Sequence, residues 1–111
     1  MGLVPVEALS LIPKARFQFL AETFQALGDS SRVQIVWLLA TREHSVGDIA
    51  QALSLSQPAV SHHLRILRQL KLVKVRRDGR VAFYRLDDPH IERLLEEGMR
   101  HVEDEIEDRS E

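Results

Sequence analysis

The sequence contains no cysteine. That single absence excludes disulfides, thiolate metal sites and thiol-based redox sensing. Aromatic residues are scarce too, 5% of the chain with one Trp and one Tyr. A core must therefore come from Leu, Val, Ile and Ala, the usual material of helical domains. No apolar run approaches the roughly 18 residues of a membrane span, and the N-terminus lacks the basic start and apolar centre of a signal peptide. The expectation is a cytoplasmic protein with no membrane partner. Its 111 residues are enough for one domain, 1–111, whose modest core would gain from dimerisation. No nucleophile–base arrangement stands out, so an enzyme is not expected.

What is present is charge, unevenly placed. The formal net charge is −2, yet residues 56–85 hold eight basic side chains (Arg65, Arg68, Lys71, Lys74, Arg76, Arg77, Arg80 and Arg85) against Asp78 alone. Residues 86–111 reverse this, with 11 acidic side chains against three basic ones. A basic middle beside an acidic end suggests one face that binds a polyanion and another that avoids polyanions or attracts cations.

Apolar spacing locates the helices. Phe17, Leu20, Ala21, Phe24 and Leu27 recur at helical intervals, ending at Gly28, and Asp29 can cap the next helix. That second helix, with Val33, Ile35, Val36, Leu38, Leu39 and Trp37, is apolar on most sides and is expected to be the most buried. In "SVGDIAQALS", Ser45 followed three residues later by Asp48 forms an N-cap pattern. After "LSLS", Ser56 is a cap and Pro58 falls in the first turn of a helix that buries Val60, Leu64 and Leu67. Two short helices across a tight turn, the second polar and basic outside, predict a helix-turn-helix over about 45–71.

"LVKVRRDGRVAFYRL" then alternates apolar and polar residues on both sides of Asp78-Gly79. This predicts a hairpin over about 72–86, with Asp78-Gly79 as a two-residue type I′ turn and Arg76, Arg77 and Arg80 at the tip. A hairpin directly after a helix-turn-helix is a wing, and arginines there suit phosphates or a minor groove. The fold class expected is α+β, mostly helical: a winged helix-turn-helix closed by a C-terminal helix.

The segments "FQALGDSSRVQIVWLL", "SVGDIAQALSLSQPAVSHHLRILRQLKLV", "RRDGRVAFYRL" and "DDPHIERLL" together resemble the ArsR/SmtB family of bacterial metal-sensing winged-helix repressors, in its zinc-sensing SmtB-like branch. The likeness covers about residues 15–104. It implies a homodimer joined by the first and last helices, about 15–28 and 89–107, that binds double-stranded operator DNA, an imperfect inverted repeat, and leaves it when metal binds. It also implies DNA contacts from Ser56, Gln57, Ser61, His62, His63, Arg65, Arg76, Arg77 and Arg80. Gln57 can pair with adenine, while the arginines suit phosphates. His63 has an alternative, packing or facing solvent.

The resemblance further implies a metal site on the last helix, here Asp88-x-His90 and His101-x-x-Asp104. The family's Cys-x-Cys site for arsenic, lead or cadmium is missing, since the corresponding segment is "SVGDIA". Asp104 stands where His or Glu is commoner, and Glu97 and Glu105, each one turn from His101, compete for its place. Asp88 before Pro89 is also an ordinary N-cap. Nitrogen and oxygen donors suit Zn²⁺, with Co²⁺, Ni²⁺ or copper as alternatives.

Helix geometry explains the spacing independently. At about 100° per residue, His90 and His101 project from one edge of a helix, about 16 Å apart along its axis. Zinc–nitrogen bonds are about 2 Å, so one helix cannot bring both to one ion. An antiparallel copy can, giving two equivalent sites across a two-fold axis. The stripe Ile91, Leu94, Leu95, Gly98, Met99, Val102 and Ile106 lies beside that edge, as an interface helix requires. The rival expectation is a repressor of the same family that answers a non-metal signal or none.

Overall fold

The computed structural model describes residues 5–110; the ends of the expected 1–111 domain, residues 1–4 and Glu111, lie outside the described residues. A short 3-10 helix, Val6–Leu11, precedes α1 (Lys14–Leu27), α2 (Ser30–Thr41), β1 (His44–Ser45), α3 (Val46–Leu53) and α4 (Gln57–Gln69). Then follow β2 (Val73–Asp78), β3 (Val81–Leu86) and α5 (Pro89–Ser110). The element types and their order are those expected from the sequence, with two additions, the 3-10 helix and β1.

Side-chain caps set the helix starts. Asp29 accepts the Arg32 N–H at 3.0 Å, Ser45 accepts from Asp48 at 3.1 Å, and Ser56 accepts from Ala59 at 3.2 Å. The ends of α3 and α4 share one device. After α4, the Leu72 N–H donates to the Leu67 carbonyl at 3.0 Å and the Lys71 N–H to the Arg68 carbonyl at 2.9 Å. After α3, Leu55 donates to Ala50 at 3.0 Å and Ser54 to Gln51 at 3.4 Å. These are Schellman pairs, which require a left-handed residue. Ser54 (φ 55°) and Lys71 (φ 59°) occupy that conformation without being glycine.

The core lies where α2, α3 and α4 meet, with Ile35, Val36, Ile49, Val60, Leu64 and Leu67 fully buried. Truncating one of these, Leu64→Ala for example, carries a cost of about 2–5 kcal/mol. The helix expected to be most buried, α2, does supply Ile35, Val36 and Leu39, but Trp37 is 40% exposed. One face of α2 is therefore open among the described residues.

The sheet has the order β1-β3-β2, all antiparallel. Register pairs Asp78 with Val81, so the two turn residues are Gly79 and Arg80 rather than Asp78 and Gly79. Gly79 has φ 61° while Arg80 is not in the positive-φ region. A positive φ at the first central position alone is the mark of type II′, not of the expected type I′.

Two elements leave apolar surface uncovered. On α1, Phe17, Phe19, Leu20 and Phe24 are 42–58% exposed. On α5, Ile91 is buried and Leu95 packs on the core, but Leu94, Met99, Val102 and Ile106 stay exposed. The radius of gyration is 16.7 Å, against about 13 Å for a compact chain of this length. No helix among the described residues is long and apolar enough to cross a membrane.

Candidate nucleic-acid interface and metal-ligating residues

The outer face of α4 follows from its inner face. Val60, Leu64 and Leu67 point into the core, so Gln57, Ser61, His62, Arg65 and Arg68 are exposed on the opposite side. Ser56, at the cap, is also exposed, and its oxygen already accepts the Ala59 N–H. Its hydroxyl remains able to donate. The Ser54 turn fixes how α4 follows α3, so this polar row projects from the molecule as one ridge.

His63 differs from its neighbours. Its side chain is only 16% exposed and turns toward the junction of α1 and α2. Arg32 donates to its Nδ1 at 3.3 Å and, through Nε, to the Ala26 carbonyl at 2.7 Å. Asp29 lies 4.0 Å from the same imidazole nitrogen. His63 thus forms a strut between α4 and α2, with its Nδ1 turned to Arg32 and away from the outer ridge. The Arg32 N–H at its head also draws the Asp29 carboxyl below its ordinary pKa. His44 is buried and donates from Nδ1 to the Arg42 carbonyl at 2.9 Å, a structural role.

On the wing, Arg77 and Arg80 are exposed at the tip. Arg76 is not free in the same way. It donates to both oxygens of Glu43, at 2.5 and 3.3 Å, and its guanidinium sits 4.8 Å from the centre of the Phe83 ring. Arg76 and Phe83 are register partners on β2 and β3, so the stacking follows from the strand pairing. The hydrogen bond holds Glu43 below its ordinary pKa and raises Arg76. At the other end of β2, Lys74 pairs with Asp87 at 2.6 Å and lowers that carboxyl's pKa.

At the start of α5, Asp88 Oδ1 accepts the backbone N–H of His90 at 2.9 Å and of Ile91 at 3.3 Å. The same oxygen lies 3.2 Å from His90 Nδ1. Asp88 and His90 are thus together, with the His90 ring highly exposed. His101 and Asp104 are exposed near the other end of the same helix. Glu97 is ion-paired with Arg100, while Glu105 is exposed. Among the described residues, no three potential ligands converge within one chain. A single straight helix keeps the two donor pairs apart.

Arg32, Glu43 and β1 were not anticipated as parts of this architecture. Only the Asp29–Arg32 spacing, a cap followed one turn later by a long cation, gave any signal of the strut.

A helix-turn-helix with an exposed polar ridge on its second helix, followed by an arginine-tipped hairpin, defines a winged-helix DNA-binding module. The chain belongs to the ArsR/SmtB family and is a transcriptional repressor of that family. The family described as "Bacterial regulatory protein, arsR family" matches residues 29–75. A Synechocystis protein described as a transcriptional repressor SmtB homolog is 46% identical over 87 residues, 78% of this chain and 66% of the relative. A Staphylococcus aureus cadmium resistance transcriptional regulatory protein, a CadC homolog, is 39% identical over 82 residues, 73% of this chain and 68% of the relative. Among solved structures, a homodimeric winged helix-turn-helix DNA-binding domain from Mycobacterium bovis aligns with a TM-score of 0.75 at 27% identity. That alignment covers 96% of this chain and 94% of the other. These relatives are regulators of transcription, not enzymes.

Proposed function

We propose that the protein is a metal-responsive repressor that binds operator DNA as an apo homodimer and is released when zinc or a similar divalent ion binds. The observation that carries this reading is the arrangement of α5. Asp88 and His90 meet at one end, His101 and Asp104 stand near the other, and an uncovered apolar stripe runs between them. An antiparallel α5 pair covers the stripe and joins each Asp88–His90 end to a partner's His101–Asp104 end. The homodimeric M. bovis neighbour and the exposed α1 face support a homodimer.

The donors fit a zinc ion. Asp88 uses Oδ1 for the cap and for His90, which leaves Oδ2 for a metal, and His90 retains Nε2. The CadC homolog's name refers to cadmium, but this chain lacks the thiolates that favour soft ions. Nitrogen and oxygen ligands of borderline hardness suit zinc, and also accommodate cobalt, nickel or copper. Bound zinc would supply a rigid bridge between the two α5 helices.

The chain's own residues would carry the signal onward. With one His101 nitrogen engaged, the other becomes a fixed N–H donor that needs an acceptor. The family resemblance implies a backbone carbonyl at the end of α4, near Lys71. Lys71 sits in the left-handed turn that closes α4, so a pull there would reorient the Gln57–Ser61–Arg65 ridge. Sequence reading then rests with Ser56, Gln57, Ser61 and His62, and phosphate contact with Arg65, Arg77 and Arg80.

Equilibrium dialysis against zinc tests the site. The wild-type protein is expected to retain one ion per protomer and His101→Ala none; a wild type that retains none contradicts the proposal. An apolar recess of about 340 Å³ beside Trp37, lined also by Val33, Leu38, Leu53 and Met99, favours a second reading in which a small apolar molecule is the signal. In that case operator release would follow the molecule and ignore zinc.

A further inference from the structure

We propose that Glu43 is a positioning residue for the wing, and that Arg76 serves this clamp rather than a DNA phosphate. The inference rests on DNA binding by the family and is independent of any metal site.

The sheet register makes the case. His44 pairs with Tyr84 and Ser45 with Phe83, while Val75 pairs with Tyr84 and Arg76 with Phe83. Side chains alternate across a strand, so Tyr84 and Leu86, which pack on the core, fix the inner face. Lys74, Arg76, Phe83 and Arg85 therefore share the outer face. Glu43, one residue before β1, continues that face at the sheet's edge.

Two carboxylates meet this basic row. Glu43 grips Arg76 with both oxygens, and Asp87 grips Lys74. Arg85 lies close enough to both acids to lower their pKa values by its charge. Much of the positive charge on the sheet is thus answered within the sheet. Arg77 and Arg80, exposed at the tip, are the cations the wing presents outward. The guanidinium of Arg76 is also stacked on Phe83, so moving it to a phosphate would break a bidentate ion pair and a cation–π contact together.

The clamp ties β2 to the segment that leads into α3. Its two ends are 33 residues apart in sequence, and together they set the angle between wing and helix-turn-helix. Loss of either residue should free the wing to rock and weaken binding without removing a phosphate contact.

Two readouts separate this from the alternative, that Glu43 merely competes with DNA for Arg76. The first is the salt dependence of binding to an arbitrary duplex. The second is affinity for a duplex selected from a random pool by the wild-type protein. Arg77→Ala and Arg80→Ala should each lower the salt slope by about 0.9. Arg76→Ala should leave the slope unchanged yet weaken binding to the selected duplex about two- to fivefold. Glu43→Ala should do the same, and the Glu43→Ala/Arg76→Ala double variant should be no weaker than either single one. The exchange Glu43→Arg/Arg76→Glu should recover part of the affinity. A Glu43→Ala protein that binds DNA more tightly, or an Arg76→Ala protein whose slope falls like that of Arg77→Ala, overturns the proposal. Thermal melts of each variant separate loss of the clamp from loss of the fold.

Discussion

Asp88 Oδ1 lies 3.2 Å from His90 Nδ1 while capping α5 through the backbone N–H groups of His90 and Ile91. One oxygen thus serves both the helix start and the imidazole, and the second is left for a ligand. Asn caps helices as well as Asp does, so the two roles are separable. Asp88→Asn should keep the melting temperature near wild type but weaken zinc binding, whereas Asp88→Ala should also lose about 1 kcal/mol of stability. Thermal melts paired with zinc titrations check this. Equal zinc affinity in wild type and Asp88→Asn would remove Asp88 from the ligand set.

The uncovered faces of α1 and α5 make dimerisation testable without metal. The wild type should sediment as a dimer at micromolar concentration. Val102→Glu, which places a charge within the exposed stripe of α5, should shift it to monomer. A wild type that remains a folded monomer across that range would contradict both the dimer and the shared metal site.

Ser54 and Lys71 hold left-handed backbone conformations at the ends of α3 and α4. Side chains with a Cβ are penalised there and glycine is not. Ser54→Gly and Lys71→Gly should each stabilise the protein by about 0.5–1 kcal/mol, read as a higher urea midpoint at constant slope. Destabilisation by either would mean that its side chain makes a contact outweighing the backbone cost.

Asp29, Glu43 and Asp87 titrate below their ordinary values, held down respectively by the Arg32 backbone N–H, the Arg76 side chain and Lys74. A depressed folded-state pKa contributes stability that is complete above the unfolded pKa and is lost as pH falls through the folded one. Stability should therefore be flat near neutrality and decline below about pH 5. Glu43→Gln should be less stable than wild type at pH 7 and converge with it in acid. Parallel urea curves for the two proteins at every pH would show that the ion pair contributes nothing.

Much of this architecture was legible in the residues. Helical spacing at Val60, Leu64 and Leu67, the caps Asp29, Ser45 and Ser56, and Asp78-Gly79 between alternating runs placed the helix-turn-helix and the wing. The turn was displaced by one residue because an Asp-Gly pair marks a bend, while cross-strand register decides which residues occupy it. β1 escaped notice because two residues cannot display an alternation. His63 and Arg76 carry charges or donors suited to DNA, and the partners they meet within the chain, Arg32 and Glu43, lie 31 and 33 residues away. Such contacts exist only once the chain has folded. Trp37 lies on a helix that is apolar on most sides, yet it stays half-open, because apolar positions alone do not show which face a neighbour covers. The separation of His90 from His101 was fully readable, since it depends only on the helical repeat.

The central claim is that metal and DNA compete through α5 and α4. By linkage, zinc can weaken DNA binding only as far as it prefers the low-affinity conformation, and DNA must weaken zinc equally. A cation alone would favour a polyanion, so the geometric effect must exceed the electrostatic one. The direct measurement is the affinity of the wild-type protein for a duplex it selects from a random pool, with chelator and then with saturating zinc, alongside His101→Ala. The apo wild type should bind at least about tenfold more tightly than the zinc-loaded form, a coupling of about 1.4 kcal/mol, and His101→Ala should bind DNA but ignore zinc. Equal wild-type affinity under the two conditions would contradict the account.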